Sequence, residues 1–250
     1  MIICNSNNFA VTRAQKTGGT SLEMYILESG LVDYANDTYT LEGGFANWEE
    51  FKAYSDAHDN LKYSELPRAL YGQDSLANAQ RTFAEIVEEG LAPSDMPCIG
   101  AIRHPLEWLA SLFYYANLRR SITAKKHLRE LGKYTAYDLQ IAKEVSEPDA
   151  SFDFVFDKTW NTPEVQASLK AQTSYYPDHA ELFNIENIHE HVTDFITTKG
   201  GTVAGRIELR KSDNDPAYYL NNLSADRKQR ALDIYAKDLV AWENAKAVYA

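Results

Sequence analysis

Cysteine is nearly absent from this chain: Cys4 and Cys98 are its only two in 250 residues. Two cysteines give no disulfide framework and no zinc pattern, and they point to a reducing compartment, the cytoplasm. Basic charge is scarce. Lysine and arginine total 25 against 36 aspartates and glutamates, a formal net charge of −11, which disfavours nucleic acid as a partner. No apolar stretch approaches a membrane span. The opening residues Met1 to Asn8 lack the basic and long apolar regions of a signal peptide. Internal repeats and low-complexity tracts are missing as well. The chain is nonetheless 44% hydrophobic and 24% charged, which at this length is enough to bury a sizeable core.

The periodicities alternate between strand and helix. Phe9-Ala10-Val11-Thr12 is a short alternating stretch, and Leu22 to Ser29 reads as a helix closed by Gly30. Helices are expected over Asn47–Tyr54 and Ser75–Glu89, and Pro97–Ile102 reads as a buried strand. Pro105 sits at a first-turn position of a helix running to Arg119. Further helices are expected at 121–131, 135–145, 151–160 and 163–169. Leu182–Ile185 reads as a strand, Ile188–Thr198 as a helix with a Gly200-Gly201 stop, and Arg206–Leu209 as a strand. Ser224 caps one long helix to Tyr249, with Leu232, Tyr235, Leu239 and Trp242 as its apolar stripe. The class is therefore α/β: three layers, with a central, mostly parallel sheet flanked by helices. The organisation expected is one domain over residues 1–250 with a helical insertion at about 121–170.

Lys16-Thr17-Gly18-Gly19-Thr20-Ser21 joins the first strand to the first helix. A glycine turn at a helix start is an anion cradle: the glycines admit close approach, N–H groups point outward, and the dipole favours negative charge. Lys16 adds a positive charge, and Thr17, Thr20 and Ser21 add hydroxyls. The lysine precedes the glycines, so the run is not a Walker A loop, nor is it G-x-G-x-x-G. Such a turn can also simply join two elements.

A second strand end and helix start lies at Arg103-His104-Pro105. Arg103 stands just outside the carboxyl end of a strand, where open α/β sheets bind ligands, and arginine clamps phosphate bidentately. Ser111 follows about two helical turns on. Alone, Arg103 could pair with a surface carboxylate and Ser111 face solvent. Together the two constellations suit a ligand with a 5′ anionic chain and a separate phosphate.

On these residues the chain resembles the sulfotransferases that use 3′-phosphoadenosine 5′-phosphosulfate (PAPS), in their carbohydrate and membrane-type branch. Lys16 to Leu22 looks like the 5′-phosphosulfate loop, and Arg103-His104-Pro105 with Trp108, Ser111 and Phe113 looks like the 3′-phosphate motif. Gln172 with Tyr175-Tyr176, Leu182 to Ile188, and Leu223 to Asp238 are similar to the later segments of that branch. Gln15 departs from the family's proline, and Leu22 from the adenine-stacking tryptophan of many cytosolic members.

The resemblance implies a P-loop-like nucleotide-binding fold, PAPS as donor, adenosine 3′,5′-bisphosphate (PAP) as product, and no required metal. It implies that Lys16, Thr17, Gly18, Gly19, Thr20 and Ser21 hold the 5′ end, with Lys16 on the leaving phosphate. Arg103 and Ser111 would hold the 3′-phosphate, and Lys211 would close over the nucleotide. A hydroxyl acceptor needs a general base. His58 is placed for it, with Asp56 and Asp59 as carboxylate alternatives, while His104 is a weaker choice and His179, His189 and His191 read as surface or loop residues. The acceptor, a glycan, lipid or small molecule, is not readable, although Arg119, Arg120, Lys125, Lys126 and Arg129 could meet an anionic one. A nucleotide-dependent kinase and a non-catalytic nucleotide-binding protein on the same fold stand as alternatives.

Overall fold

A strand three residues long needs a neighbour on each side to hold it, and the first two strands of this protein are of that length. The structure is a computed structural model and describes residues 1–39, 48–57, 81–113, 169–203, 205 and 216–248. Its five-stranded sheet is ordered β3-β1-β2-β4-β5. The strands are β1 (Ile2–Cys4), β2 (Phe9–Val11), β3 (Thr38–Tyr39), β4 (Cys98–Ile102) and β5 (Glu181–Asn184). β2, β4 and β5 run parallel. β1 is antiparallel to both β2 and β3, which makes the sheet mixed at one side.

Alternation along each strand sends side chains to two cores. Ile2, Cys4, Phe9, Val11, Ile99, Ala101 and Phe183 face helices α1 (Gly19–Glu28) and α5 (Ile188–Thr198), through Leu22, Ile26, Val192 and Ile196. Ile3, Ala10 and Cys98 face the other way, onto Phe83 and Ile86 of α3 (Phe83–Glu88). The helix–sheet–helix layering expected from the sequence is thus present. α2 covers Trp48–Ala57, and residues 105–113 form the described part of α4. α6 (Pro216–Asn221), α7 (Ala225–Ile234) and α8 (Ala236–Ala247) complete the helices among the described residues.

The chain packs as two units. One comprises Met1–Arg103, Gln172–Lys211 and Ala241–Ala250, and the other His104–Ala171 and Ser212–Val240. The second has its own core of Trp108, Leu109, Leu112, Phe113, Leu169, Leu223, Ala231 and Tyr235. Trp108 meets Tyr235 edge-on with ring centroids 5.1 Å apart. The insertion expected at 121–170 lies outside the described residues, except for Leu169 and Lys170.

Several boundaries differ from expectation. β1 lies in Met1–Asn8, for which no element is expected from the sequence. Of the helix expected from Ser75, residues 75–80 lie outside the described residues. Arg81 and Thr82 are not helical, because Thr82 closes a reciprocal capping box with Glu85 and so starts the helix itself. The single long helix from Ser224 is two helices, broken at Tyr235, whose backbone leaves the helical region at φ −105°, ψ 34°. α5 matches its expected span, and Gly200 at φ 83° ends it with Gly201 N–H bonded to Ile196 O at 2.9 Å. The strand expected at Arg206–Leu209 lies outside the described residues.

His191 is not a surface residue. It is buried on α5 and stacked on Phe183, with ring centroids 5.5 Å apart. Burial pushes its imidazole below the ordinary value of 6.5, against the pull of Glu190 and Asp194. The unfolded chain therefore binds a proton that the folded chain resists, so stability is full above about pH 6.5 and falls as the pH drops below it. Urea denaturation at about pH 7.5 and about pH 5.5 should show this loss, and His191→Gln should reduce it.

Candidate functional site

The carboxyl ends of β2, β4 and β5 lie side by side, and the chain leaving each strand carries polar chemistry. After β2, Thr12 and Arg13 are buried and the loop 14–18 turns into α1. Lys16 holds a left-handed backbone at φ 65°. For a residue with a side chain this costs about 1–2 kcal/mol, which glycine would avoid, so the conformation points to a use for the lysine side chain. Thr17 is fully buried and its hydroxyl donates to Ala14 O at 3.0 Å. That hydroxyl closes the loop on itself. Gly18, at φ 85°, caps α1 without a side-chain hydrogen bond. Gly19, Thr20 and Ser21 form the opening turn, where helical N–H groups lack intrahelical acceptors.

Arg13, which sequence reasoning passed over, lies against this turn. A Cβ added to Gly19 would stand 2.4 Å from the Arg13 Cβ, so Gly19 is what lets the arginine stem pass. Its guanidinium Nη1 donates to Thr20 Oγ1 at 2.8 Å and pairs with Glu23 at 3.0 Å. Glu23 also takes the Met1 amino group. The contact uses an acceptor position of the Thr20 oxygen, and a hydroxyl carries a separate proton for donation. The only sequence signal was a charged residue directly between a buried strand and a glycine loop.

Arg103 follows the last residue of β4 and is half-buried. Its Nη1 donates to Lys16 O at 3.5 Å, which brings together the two motifs that the sequence held 87 residues apart. Its backbone is held by Gln172, a fully buried side chain. Gln172 Oε1 accepts the Arg103 N–H at 3.0 Å, and Gln172 Nε2 donates to Arg103 O at 2.9 Å. Gln172 opens a short 3₁₀ helix, Gln172–Tyr175. Within it Tyr175 O accepts the Thr12 hydroxyl at 3.2 Å. Next comes Tyr176, whose hydroxyl donates to Ala101 O at 2.7 Å and accepts the Ala14 N–H at 3.0 Å. Its ring lies where a side chain on Gly100 would be, 2.1 Å from that Cβ position.

Beyond β5, Asn184 is buried and its Oδ1 accepts the Glu186 N–H at 2.9 Å, starting a 3₁₀ turn, Ile185–Asn187. That turn puts the Ile185 side chain against Gly18, with Cδ1 2.8 Å from where a Cβ would stand. Ser111 is half-buried on α4 and belongs to the second unit. His58 and Lys211, the expected base and closing lysine, lie outside the described residues.

Of the carboxylate alternatives to His58, Asp56 is exposed near the end of α2 and Asp59 lies outside the described residues. His104 Nδ1 accepts the Leu106 N–H at 3.3 Å at the start of α4. His189 Nδ1 meets the Tyr25 hydroxyl at 3.0 Å. Burial pushes the Cys98 thiol up to about 11, and the Cys4 thiol is also raised, chiefly by burial. Neither is a thiolate near neutral pH. Among the described residues no three His, Cys, Asp or Glu side chains cluster as metal ligands, and no helix is long and apolar enough to cross a membrane.

No family model and no curated protein matches the chain. Among solved structures, a sulfotransferase from Alicyclobacillus acidocaldarius aligns with 95% of this chain and 94% of its own at 14% identity, with a TM-score of 0.33. An overlay that loose decides nothing about activity.

Gly18 combines a left-handed backbone with a side-chain clash, whereas Gly90, at φ 70°, has open space around it. Gly18→Ala should therefore destabilise the protein by about 1–3 kcal/mol and by more than Gly90→Ala, as read from urea denaturation midpoints.

Proposed function

We propose that this protein is a PAPS-dependent sulfotransferase, moving a sulfuryl group to a hydroxyl or amine of a carbohydrate, lipid or small-molecule acceptor. The observation that supports this most is the meeting of two motifs at one sheet edge. The Lys16–Ser21 loop opens α1, and Arg103 reaches the Lys16 carbonyl from the end of the adjacent parallel strand. A cradle for one anion beside an arginine for a second suits a nucleotide phosphorylated at both ends of its ribose. The glycines serve the loop's own packing, since a Cβ on Gly18 or Gly19 would meet Ile185 or Arg13.

Bound there, PAPS supplies an activated sulfuryl group, with the S–O bond to its 5′-phosphate breaking in line as the acceptor oxygen bonds to sulfur. The chain's part is positioning and charge stabilisation. Lys16 would offset charge on the leaving phosphate, joined by N–H groups of Gly18 to Ser21 and the hydroxyls of Thr20 and Ser21. The Thr17 hydroxyl, bonded to Ala14 O, shapes the loop in this conformation. Arg103 would clamp the 3′-phosphate with Ser111 and so fix the nucleotide's register. His58 would take the acceptor proton, with Asp56 or Asp59 as the carboxylate alternative, and Lys211 would close over the nucleotide. The residues at 121–170 would cover the acceptor. No required metal enters this scheme.

Calorimetry should show PAP binding at least about tenfold tighter than AMP, because Arg103 has a 3′-phosphate to read only in the former. Equal affinities would overturn the reading. Lys16→Ala should lower labelled-sulfate transfer by about two or more orders of magnitude while the thermal melt stays cooperative.

A further inference from the structure

Arginine clamps phosphate well only if its own backbone is fixed, because a misplaced donor loses both alignment and desolvation. Arg103 stands at the point where β4 ends and the sheet ladder stops. There Gln172 takes over, giving the backbone of residue 103 one acceptor and one donor at 3.0 Å and 2.9 Å, as a neighbouring strand would. Gln172 is fully buried, so water does not compete for either bond. Four residues on, Tyr176 fixes the other half of the site. Its hydroxyl ties the Ala14 N–H, at the root of the Lys16 loop, to Ala101 O on β4. Ala14 O in turn receives the Thr17 hydroxyl, which carries the constraint into the loop.

We infer that Gln172 and Tyr176 are positioning residues with separable tasks: Gln172 sets Arg103 for the 3′-phosphate, and Tyr176 sets the Lys16–Ser21 loop for the 5′ group. The inference rests on the nucleotide reading given above. Its signature is a split between two ligands that a merely structural role would not produce, since a general loss of stability weakens both alike.

The test titrates PAP and AMP into the full chain and its variants by calorimetry, with thermal melts alongside. Gln172→Asn keeps the amide but shortens it by one methylene, and Gln172→Glu keeps the acceptor for the Arg103 N–H but loses the donor. Either should cut the preference for PAP over AMP by about tenfold while leaving AMP binding near that of the unsubstituted chain. Tyr176→Phe keeps the ring on Gly100 and removes only the hydroxyl. It should weaken PAP and AMP by a similar factor, about tenfold, and leave the preference intact, while adenosine 3′-phosphate, which lacks the 5′ group, binds as it does to the unsubstituted chain; equal weakening of all three overturns the inference. An unchanged preference in a cooperatively melting Gln172 variant overturns the inference. So does a Tyr176→Phe protein that binds both nucleotides normally or loses only the preference. If neither Gln172 variant folds, the Tyr176→Phe arm decides. An unsubstituted chain that binds PAP and AMP alike instead overturns the nucleotide reading, and this inference with it.

Discussion

The hydroxyl of Tyr176 is the joint on which the carboxyl edge of the sheet depends. It holds the exit of β2 at Ala14 and the last turn of β4 at Ala101 in one pair of hydrogen bonds. β2 is only three residues long, and its ladder with β4 covers Ala10 and Val11. After Thr12, whose N–H still bonds Ile99 O at 3.2 Å, backbone pairing to β4 no longer fixes the direction of the chain. A buried donor and acceptor must find partners or cost about 1–3 kcal/mol each, so a side chain that satisfies both strongly constrains the loop. Gly100 is part of the same arrangement, since any side chain there would displace the Tyr176 ring.

Charge is organised with the same economy. A chain with a formal net charge of −11 repels an anionic ligand at long range, and only a local cluster of cations reverses the sign. Arg13 is not a plain member of that cluster. Its charge is met by Glu23, and its remaining role is to hold Thr20 from behind. Lys16 and Arg103 are both half-buried, and Arg103 Nη1 bonds the Lys16 carbonyl.

Local signals were read well and distant ones were not. α5 was legible to the residue because its apolar period, entry and Gly200 stop all lie within one window. β4 was legible because five buried residues follow a proline. β1 was not, since three residues carry no period that distinguishes strand from loop. The break at Tyr235 was hidden because the apolar stripe continues through it: Ala231 is buried before the break, Tyr235 at it and Ala245 after it. In the candidate site, the order Lys16-Thr17-Gly18-Gly19 and then Arg103 gave the two halves. Nothing local said that Arg103 would meet Lys16, or that Gln172 and Tyr176, noticed only as a resemblance, would hold both. Arg13 was passed over because its partner Glu23 lies a full turn into the helix and nothing local marks the pair.

The bond from Ala14 to Tyr176 spans 162 residues, and the bonds from Gln172 to Arg103 span 69. During synthesis the glycine loop and the arginine emerge long before the segment that fixes them. Closing so large a loop is entropically slow, and partly made chains with unpaired strand ends are open to wrong pairings. Until residue 176 leaves the ribosome, β2 and β4 can pair without a fixed loop at their ends. The brace therefore forms only once residue 176 has been made, and a chain cut short before that point would carry both motifs without the bonds that join them.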